Sequence, residues 1–298
     1  MPPFDVVRRL DTSGTNALRD LVAAVGAAGG HSPVDAGRLA AALEGGGHGF
    51  LAALAWNADH SALLGYVQAL RGPSGWDIEQ IAAPSGSQPT ASALRPLLAA
   101  IVHALRAEND AVVRLWAYRA DAASDRLAAT VGLVPARDIH QMRRPLPVGE
   151  PYELTTRPFV VGQDEAAWLR VNNRAFAGHP DQSGWTLADV EAHETEPWFD
   201  PVGFLLHEED GRLAGFCWTK VHRSATPPLG EIYVIGVDPD WHRRGLGRTL
   251  VLAGLDHLAR QGLTVGMLYV DGTNTPARKL YESMGFTIDH TDRVYSVA

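Results

Sequence analysis

The pattern of apolar and polar residues along the chain occurs twice, in the same order. The segments "FLAALAWNADHSALLGYVQAL" (50–70) and "GFLLHEEDGRLAGFCWTKV" (203–221) each hold two apolar runs around a polar turn, which predicts a β-hairpin. The second turn contains Asp-Gly, a dipeptide that favours tight hairpin turns. Apolar residues at helical spacing predict helices before and after each hairpin, at 16–28, 34–43, 94–107, 164–176, 186–194 and 247–260.

A repeat closes each half of the chain. The segment "LWAYRADAASDRLAATVGLVP" (115–135) matches "LYVDGTNTPARKLYESMGFTI" (268–288) at a constant offset, and both predict a strand, a short helix and a strand. Each half therefore has the predicted order β-α-α-β-β-β-α-β-α-β. This order indicates an α/β (α+β) fold of tandem domains, each a mixed central sheet flanked by helices. Because the proline-rich stretch 143–158 has no regular period, we place the domains at 1–146 and 152–298.

The composition limits the classes of protein to which the chain can belong. Of the 298 residues, 46% are hydrophobic, which excludes a chain disordered as a whole. The net charge of −8 argues against a nucleic acid as the main partner. The single cysteine, Cys217, excludes an internal disulfide and indicates a reducing compartment. Since Cys217 lies in a strand-like apolar run, we expect a buried core thiol rather than a nucleophile.

The sequence lacks the patterns that are typical of membrane proteins, secreted proteins and metal sites. No apolar run approaches the roughly 20 residues that span a bilayer, and the first residues do not resemble a signal peptide. We therefore expect a cytoplasmic monomer that does not bind membranes. The 12 histidines show neither an HExxH motif nor a paired spacing, so we expect no metal site.

A candidate anion site lies in the second half. The strand-like segment "GEIYVIGVDP" (230–239) leads into the loop "DWHRRGLG" and then into an apolar helix. A helix N-terminus attracts anions, and glycines let a ligand approach the backbone closely. Arg243, Arg244 and Arg248 add positive charge at this point. The loop matches neither the P-loop nor the dinucleotide fingerprint, and a Gly-x-Gly alone also occurs in ordinary tight turns.

The loop resembles the [Gln/Arg]-x-x-Gly-x-[Gly/Ala] signature of the GCN5-related N-acetyltransferase (GNAT) superfamily, although His242 stands where that family usually has Gln or Arg. The segment "NTPARKLYESMGF" (274–286) resembles the closing motif of the same family. The resemblance implies acetyl-CoA as a co-substrate, with its pyrophosphate on the loop. The implied acetyl-CoA-binding residues are Ile235, Gly236, Val237, His242, Arg243, Arg244, Gly245, Leu246, Gly247, Arg248, Asn274, Thr275, Pro276, Ala277, Arg278 and Lys279.

Longer blocks resemble one branch of this superfamily, the tandem-domain mycothiol synthases. The blocks are "QMRRPLP" (141–147), "WLRVNNRAFAGHPDQSGWT" (168–186), "WFDPVGFLL" (198–206) and "GFCWTKVH" (215–222). The resemblance is good over 110–298 and poor over the first hundred residues. It implies acetylation of the cysteinyl amine of a cysteine–glucosamine–inositol conjugate (Cys-GlcN-Ins), the last step of mycothiol biosynthesis. The implied acceptor-binding residues are Asp35, Asp181, Lys220, Glu231 and Tyr269.

The resemblance also implies roles in the reaction. Glu231 is implied as the general base for the amine, and Tyr281 as the acid that protonates the departing thiolate. The residues themselves leave simpler alternatives open: a solvated strand-end charge for Glu231, a core aromatic for Tyr281 and a surface charge for Lys220. Asp35 also fits an ordinary acidic residue at a helix N-terminus.

The first half departs from these motifs. Where the second half has "PDWHRRGLG", the first has "PSGSQPTAS" (84–92), which lacks the arginines, and Pro89 removes an N–H donor. Ala128 stands at the position of Tyr281, and Asp121 at that of Asn274. We therefore interpret the first half as a degenerate copy with a poor pyrophosphate site.

Two other functions remain as alternatives. The first keeps the chemistry and changes the acceptor to an aminoglycoside, a polyamine or a protein N-terminus. The second is a CoA-binding module without catalysis, against which the presence of both Glu231 and Tyr281 argues. In the leading hypothesis the partner is a small amino-sugar substrate, with no nucleic acid involved.

Overall fold

The computed structural model describes residues 4–29, 34, 36–47, 49–72, 75–83, 90–107, 112–179 and 182–297. Its elements follow the predicted order in both halves, so the fold prediction is confirmed. The first half contains β1 (Phe4–Val7), α1 (Thr12–Gly29), α2 (Ala36–Leu43), β2 (Phe50–Trp56), β3 (Leu63–Gly72), β4 (Gly75–Ala82), α3 (Thr90–Ala107), β5 (Val113–Ala117), α4 (Ala122–Ala129) and β6 (Leu133–Pro145). The second contains β7 (Arg157–Pro158), α5 (Glu165–Ala175), α6 (Leu187–Glu194), β8 (Phe204–Glu209), β9 (Arg212–His222), β10 (Leu229–Val237), α7 (Leu246–Arg260), β11 (Val265–Asp271), α8 (Thr275–Ser283) and β12 (Thr287–Val297).

The chain divides into two compact units. Unit 1 comprises Met1–His140, Asp271–Thr273 and His290–Ala298, and unit 2 comprises Gln141–Val270 and Asn274–Asp289. The segments 1–146 and 152–298 that the sequence suggests differ from these units at both long strands. The 13-residue β6 and the 11-residue β12 each contribute residues to both units, so no linker marks a single boundary.

Unit 1 is a mixed sheet with helices on both faces. Its strands β1, β2, β3 and β4 pair antiparallel, β4 and β5 pair parallel, and the end of β12 pairs antiparallel with β5, with Arg293 opposite Ala117. Helix α3 packs on one face with a core that includes Ile78, Leu97 and Tyr295. Helices α1 and α2 cover the other face, where Leu18 and Tyr66 are fully buried.

Unit 2 repeats this arrangement. Strands β7, β8, β9 and β10 pair antiparallel, and β10 pairs parallel with β11. The turn between β8 and β9 has positive φ at both Asp210 (51°) and Gly211 (71°), as the predicted Asp-Gly hairpin turn requires. Helix α7 packs on the face that carries Cys217 and Ile232, and helix α5 packs on the face that carries Phe216 and Trp218.

The described helices include none that is long and apolar enough to cross a bilayer. This finding concerns only the residues that the structure describes.

The last strand is attached to unit 1 by charged hydrogen bonds. The Arg293 guanidinium donates to Asp138 at 2.6 and 2.9 Å and to Asp125 at 2.8 Å. The Tyr295 hydroxyl donates to the same Asp125 oxygen at 2.7 Å. Hydrogen bonds from Arg293 hold the pKa of Asp138 below its usual value.

Replacing Arg293 with Ala is expected to destabilise unit 1 by about 1–2 kcal/mol, because two carboxylates then lose a charged donor in a partly exposed site. Urea unfolding followed by tryptophan fluorescence would show the lower midpoint. The control is Arg260→Ala on α7, whose exposed pair with Asp256 is expected to contribute at most about 0.5 kcal/mol. Equal shifts of the urea midpoint for both variants would contradict the stabilising role given to the hydrogen bonds of Arg293.

Candidate active site

The parallel pairing of β10 with β11 is short. It joins Gly230 to Gly266, Glu231 to Met267 and Ile232 to Leu268, whereas β10 continues to Val237 and β11 to Asp271. A bulge between Ile232 and Val234 interrupts the pairing of β10 with β9 at the same level. Beyond Ile232, strand β10 is therefore held by β9 alone.

This divergence leaves backbone donors unpaired on one edge of β10. The N–H of Asp238 donates to the Ala214 carbonyl of β9 at 2.9 Å. Since successive N–H groups of a strand point to opposite sides, those of Ile235 and Val237 point away from β9, toward the divergence. The sequence predicts that the backbone N–H groups of Ile235 to Val237, Gly236 included, bind the pantetheine arm of acetyl-CoA, and two of these three groups point toward the divergence. Gly236, between them, instead accommodates the Phe216 ring, which would lie 2.7 Å from an added Cβ.

Glu231 lies at the last but one pair of the parallel ladder, on the face covered by α5. Its side chain is 8% exposed, and its Oε2 accepts a hydrogen bond from His222 Nε2 at 2.6 Å. Within the described part of the chain, Oε1 has no hydrogen-bond partner. The carboxylate is therefore held by one oxygen and free to accept a proton at the other.

Lys220 is directly opposite Glu231 in the antiparallel pair of β9 and β10. Its ammonium nevertheless lies over the rings of Trp198, at 4.0 Å, and Tyr233, at 5.0 Å. A cation–π contact contributes about 0.5–2 kcal/mol depending on its solvation, whereas an ion pair with the buried Glu231 carboxylate would require desolvation of the ammonium. Two ring contacts therefore compete successfully with the neighbouring carboxylate.

Tyr269 lies on β11, on the same face as Glu231, because Met267 is the ladder partner of Glu231 and side chains two apart share a face. Its hydroxyl accepts a hydrogen bond from Gln141 Nε2 at 2.7 Å. The Gln141 carbonyl accepts in turn from Arg143 Nε at 2.6 Å. The structure thus brings together three of the predicted acceptor-binding residues, Lys220, Glu231 and Tyr269.

Asp35 and Asp181, also predicted to bind the acceptor, lie outside the described residues. Their roles stay predictions from the family resemblance.

The predicted phosphate loop ends at an uncapped helix N-terminus. Helix α7 begins at Leu246, and its N-cap Gly245 has φ of 82° with no side-chain cap. A left-handed φ explains the need for glycine at 245. At Gly247 an added Cβ would meet only Leu280, at 3.9 Å, so the fold does not demand glycine there. His242 donates to the Val237 carbonyl at 3.0 Å and thus fixes the loop to the end of β10.

The three arginines of the loop differ in their partners. Arg248 is bound bidentately by Glu150, with N···O distances of 2.9–3.0 Å. Arg244 lies 3.6 Å from Glu209. Arg243 forms no hydrogen bond or ion pair with the described residues, so its charge is the most available to an anion.

The closing motif forms α8. Asn274 is its N-cap and accepts from the N–H of Ala277 at 3.2 Å, and Thr275 to Lys279 form the first turns. Tyr281 is 8% exposed and contacts Phe286, with 5.9 Å between ring centroids. Burial raises the pKa of Tyr281 to about 12, so at neutral pH the phenol carries the proton that a general acid must supply.

Three residues of the site were missed by the sequence reasoning. His222 is two residues beyond Lys220 on β9, so it shares a face with Lys220, which period-two alternation could have shown. Trp198 and Tyr233 lie far from Lys220 in sequence, and no local pattern indicates their contact.

Unit 1 has an acid at the position equivalent to Glu231. Asp77 occupies the middle pair of the ladder between β4 and β5, opposite Arg114. Its Oδ1 accepts from Arg114 at 2.7 Å and from Trp116 at 3.0 Å, and its Oδ2 accepts from Arg114 at 3.1 Å and from Arg38 at 3.3 Å. A carboxylate has about four acceptor positions, so Asp77 has none left for a substrate.

The structure describes only some of the first-half positions that differ from the motifs of the second half. Asp121 caps α4, as Asn274 caps α8, and Ala128 is fully buried. Residues 84–89 of the counterpart loop, with Pro89, lie outside the described residues.

Comparison with known proteins agrees with this geometry. The Acetyltransferase (GNAT) family model matches residues 167–286, which include the diverging strands, the loop and α8. The mycothiol acetyltransferase of Thermobispora bispora is 43% identical over 287 residues, covering 94% of each chain. The chain belongs to the mycothiol acetyltransferase family. The family member of Acidimicrobium ferrooxidans is 41% identical over 283 residues, covering 91% of this chain and 90% of its own.

Solved structures show that this chain shares its fold with GNAT proteins, including a tandem one. A GCN5-related N-acetyltransferase from Sphaerobacter thermophilus superposes with a TM-score of 0.68 at 24% identity, covering 99% of this chain and 96% of its own. A tandem GNAT protein from the clavulanic acid pathway gives 0.70 at 14% identity, covering 99% and 98%. At these identities the likeness concerns the fold.

The cysteine prediction is confirmed by the structure. Cys217 is fully buried on β9, and burial raises the pKa of its thiol to about 12. A thiolate, not a thiol, is the nucleophile.

We therefore expect that Cys217 is not alkylated by iodoacetamide in the native protein at pH 8. Unfolding in urea exposes the thiol and returns its pKa to the ordinary range. One equivalent of the alkylating reagent should then be incorporated per chain, which intact-mass spectrometry would measure. Rapid labelling of the folded protein would contradict the core assignment.

Proposed function

We propose that this chain is an acetyl-CoA-dependent N-acetyltransferase that acetylates the cysteinyl amine of Cys-GlcN-Ins in the last step of mycothiol biosynthesis. The observation that carries the proposal is the Glu231 carboxylate, which keeps one unpaired oxygen beside the diverging strands. Family membership supports the proposed identity of the acceptor, because the relatives are named mycothiol acetyltransferases.

The proposed acetyl-CoA site fits the residues present. The pantetheine arm would bind the N–H groups of Ile235 and Val237. The pyrophosphate would bind the uncapped N-terminus of α7 at Gly245–Gly247, where backbone N–H groups and the helix dipole attract an anion. Arg243 and Arg244 would add charge, and Arg248 would do so while it also contacts Glu150.

The proposed chemistry balances with two side chains. Glu231 accepts one proton from the acceptor ammonium, and the neutral nitrogen then attacks the thioester carbon. As the carbon–sulfur bond breaks, Tyr281 donates its proton to the sulfur. The second proton of the nitrogen returns to the Tyr281 phenolate, and Glu231 releases its proton to solvent. Lys220 and Tyr269, with Asp35 and Asp181, are proposed to bind the hydroxyls and the ammonium of the acceptor.

Unit 1 is proposed to be a degenerate domain without turnover. All acceptor positions of its Asp77 carboxylate are occupied by hydrogen bonds from Arg38, Arg114 and Trp116, and its loop lacks the arginines.

A second candidate function is acetylation of another amine. It uses the same residues and differs only in the acceptor.

Glu231→Gln is expected to lower kcat by about 10²-fold at pH 7, the usual scale for a general base. The loss should shrink as the pH approaches 8, because an α-amino group deprotonates in that range. Initial rates with Cys-GlcN-Ins and acetyl-CoA measure both effects. Glu153→Gln, an exposed carboxylate in the same unit, is the control. A variant with normal turnover at pH 7 is incompatible with the proposal, and faster turnover of another amine would favour the second candidate.

Calorimetric titration with acetyl-CoA is expected to show one tight site per chain, which Gly247→Leu should weaken by about 100-fold or more. The estimate follows from losing two charge-assisted hydrogen bonds of about 1.5–3 kcal/mol each. An added Cβ at Gly247 meets only Leu280, so the fold should be retained. Gln261→Leu, exposed at the far end of α7, is the control. Two equal sites, or a tight site that survives Gly247→Leu, would show that unit 1 binds the co-substrate.

A further inference from the structure

The position of the Lys220 ammonium is unexpected for its place in the sheet. Lys220 and Glu231 are direct cross-strand partners, and such partners have Cβ atoms about 4.5–5.5 Å apart. Opposite charges at this spacing ordinarily pair. Here, within the described residues, Lys220 forms no ion pair with Glu231 and lies instead over Trp198 and Tyr233.

We propose that Trp198 and Tyr233, here called the Lys220 cage, are positioning residues that keep the Lys220 ammonium off Glu231, so that Glu231 remains an effective base. The inference rests on the proposed role of Glu231. It assigns a function to two aromatic residues that contact neither reacting atom.

The cage is fixed by a rigid aromatic cluster. Trp218, which is fully buried, lies beneath both rings, with centroid distances of 5.8 Å to Trp198 and 5.3 Å to Tyr233. His193 on α6 lies 6.2 Å from each of the two rings. The cage rings therefore cannot turn away from Lys220 without disturbing buried neighbours.

The chemical reason is the effect of a cation on a base. A direct ion pair with a cation favours the charged form of a carboxyl and lowers its pKa by about 1–3 units, and a weaker base removes the proton of the amine more slowly. The Glu231 oxygen that stays unpaired would be the one that Lys220 occupies. His222, the other partner of Glu231, leaves that oxygen free.

The ionisable groups that face Glu231 define what must be controlled. They are Lys220 and His222 on β9 and Tyr269 on β11, whereas His193 on α6 contacts the cage rings. A variant of the cage changes none of these groups, so a shift in the pH profile of kcat would report the move of Lys220.

The test compares Trp198→Leu with Trp198→Phe, which keeps an aromatic ring. Trp198→Leu is expected to lower kcat about tenfold and to shift the acid limb of the kcat profile about one unit lower, with the KM for acetyl-CoA unchanged. Trp198→Phe should lose no more than about twofold. Adding Lys220→Met to Trp198→Leu should restore kcat to the value of Lys220→Met alone, because no cation is then left to reach Glu231.

Two outcomes would overturn the proposal. One is an equal loss of kcat from Trp198→Leu with and without Lys220, which would mean that Trp198 acts on the acceptor or the fold. The other is a result for Lys220→Met alone. If this variant moves the acid limb of the kcat profile to higher pH, Lys220 already lowers the pKa of Glu231 in the unchanged protein, and the cage does not prevent it. The thermal midpoint of each variant checks folding. Full activity of Glu231→Gln would instead reject the proposed function itself, which separates the two failures.

Discussion

The short parallel ladder between β10 and β11 is the constraint on which the candidate site depends. Because it ends at Ile232 and Leu268, the following residues of β10 keep one partner strand and expose donors on the other edge. Half-buried N–H groups need an acceptor, and an amide-bearing ligand can supply it. The same ending places Glu231 beside the divergence, within reach of a group held by those donors. The proposed binding of the pantetheine arm and the proposed proton transfer thus depend on one feature of the sheet.

The two units share this feature of the sheet but differ in the surroundings of the acid beside it. In unit 1 the ladder between β4 and β5 has the same three pairs, and Asp77 stands where unit 2 has Glu231. Four hydrogen bonds from Arg38, Arg114 and Trp116 occupy its oxygens. In unit 2 a single donor, His222, holds the acid. The two parallel ladders have the same length, but the two acids differ in how many donors face each carboxylate, and a bulge interrupts the pairing of β10 with β9 and not that of β4 with β3.

The sequence allowed the order of elements and much of the site to be predicted, because these depend on local patterns. Period-two and helical spacing indicate the strands and helices, and Asp210-Gly211 forms the expected turn. The end of the parallel ladder and the contact of Lys220 with Trp198 could not be predicted, because both depend on packing between distant segments. The bulge between Ile232 and Val234 that accompanies the end of the ladder likewise leaves no signature in a short apolar run.

The division of the chain into two units also depends on pairing between strands that are distant in sequence. Neither unit is therefore formed by one half of the chain alone. The sequence repeat suggests that each half closes its own sheet, yet the strand that pairs with β5 comes from the end of the chain. Its Tyr295 is fully buried in the core of unit 1, and its Arg293 donates hydrogen bonds to two carboxylates there. A first half taken alone would keep β4 as a partner of β5 but would leave the other edge of β5 unpaired and a core aromatic position empty. A repeat in sequence therefore identifies two copies of a fold, but only the pairing of strands shows which residues complete each copy.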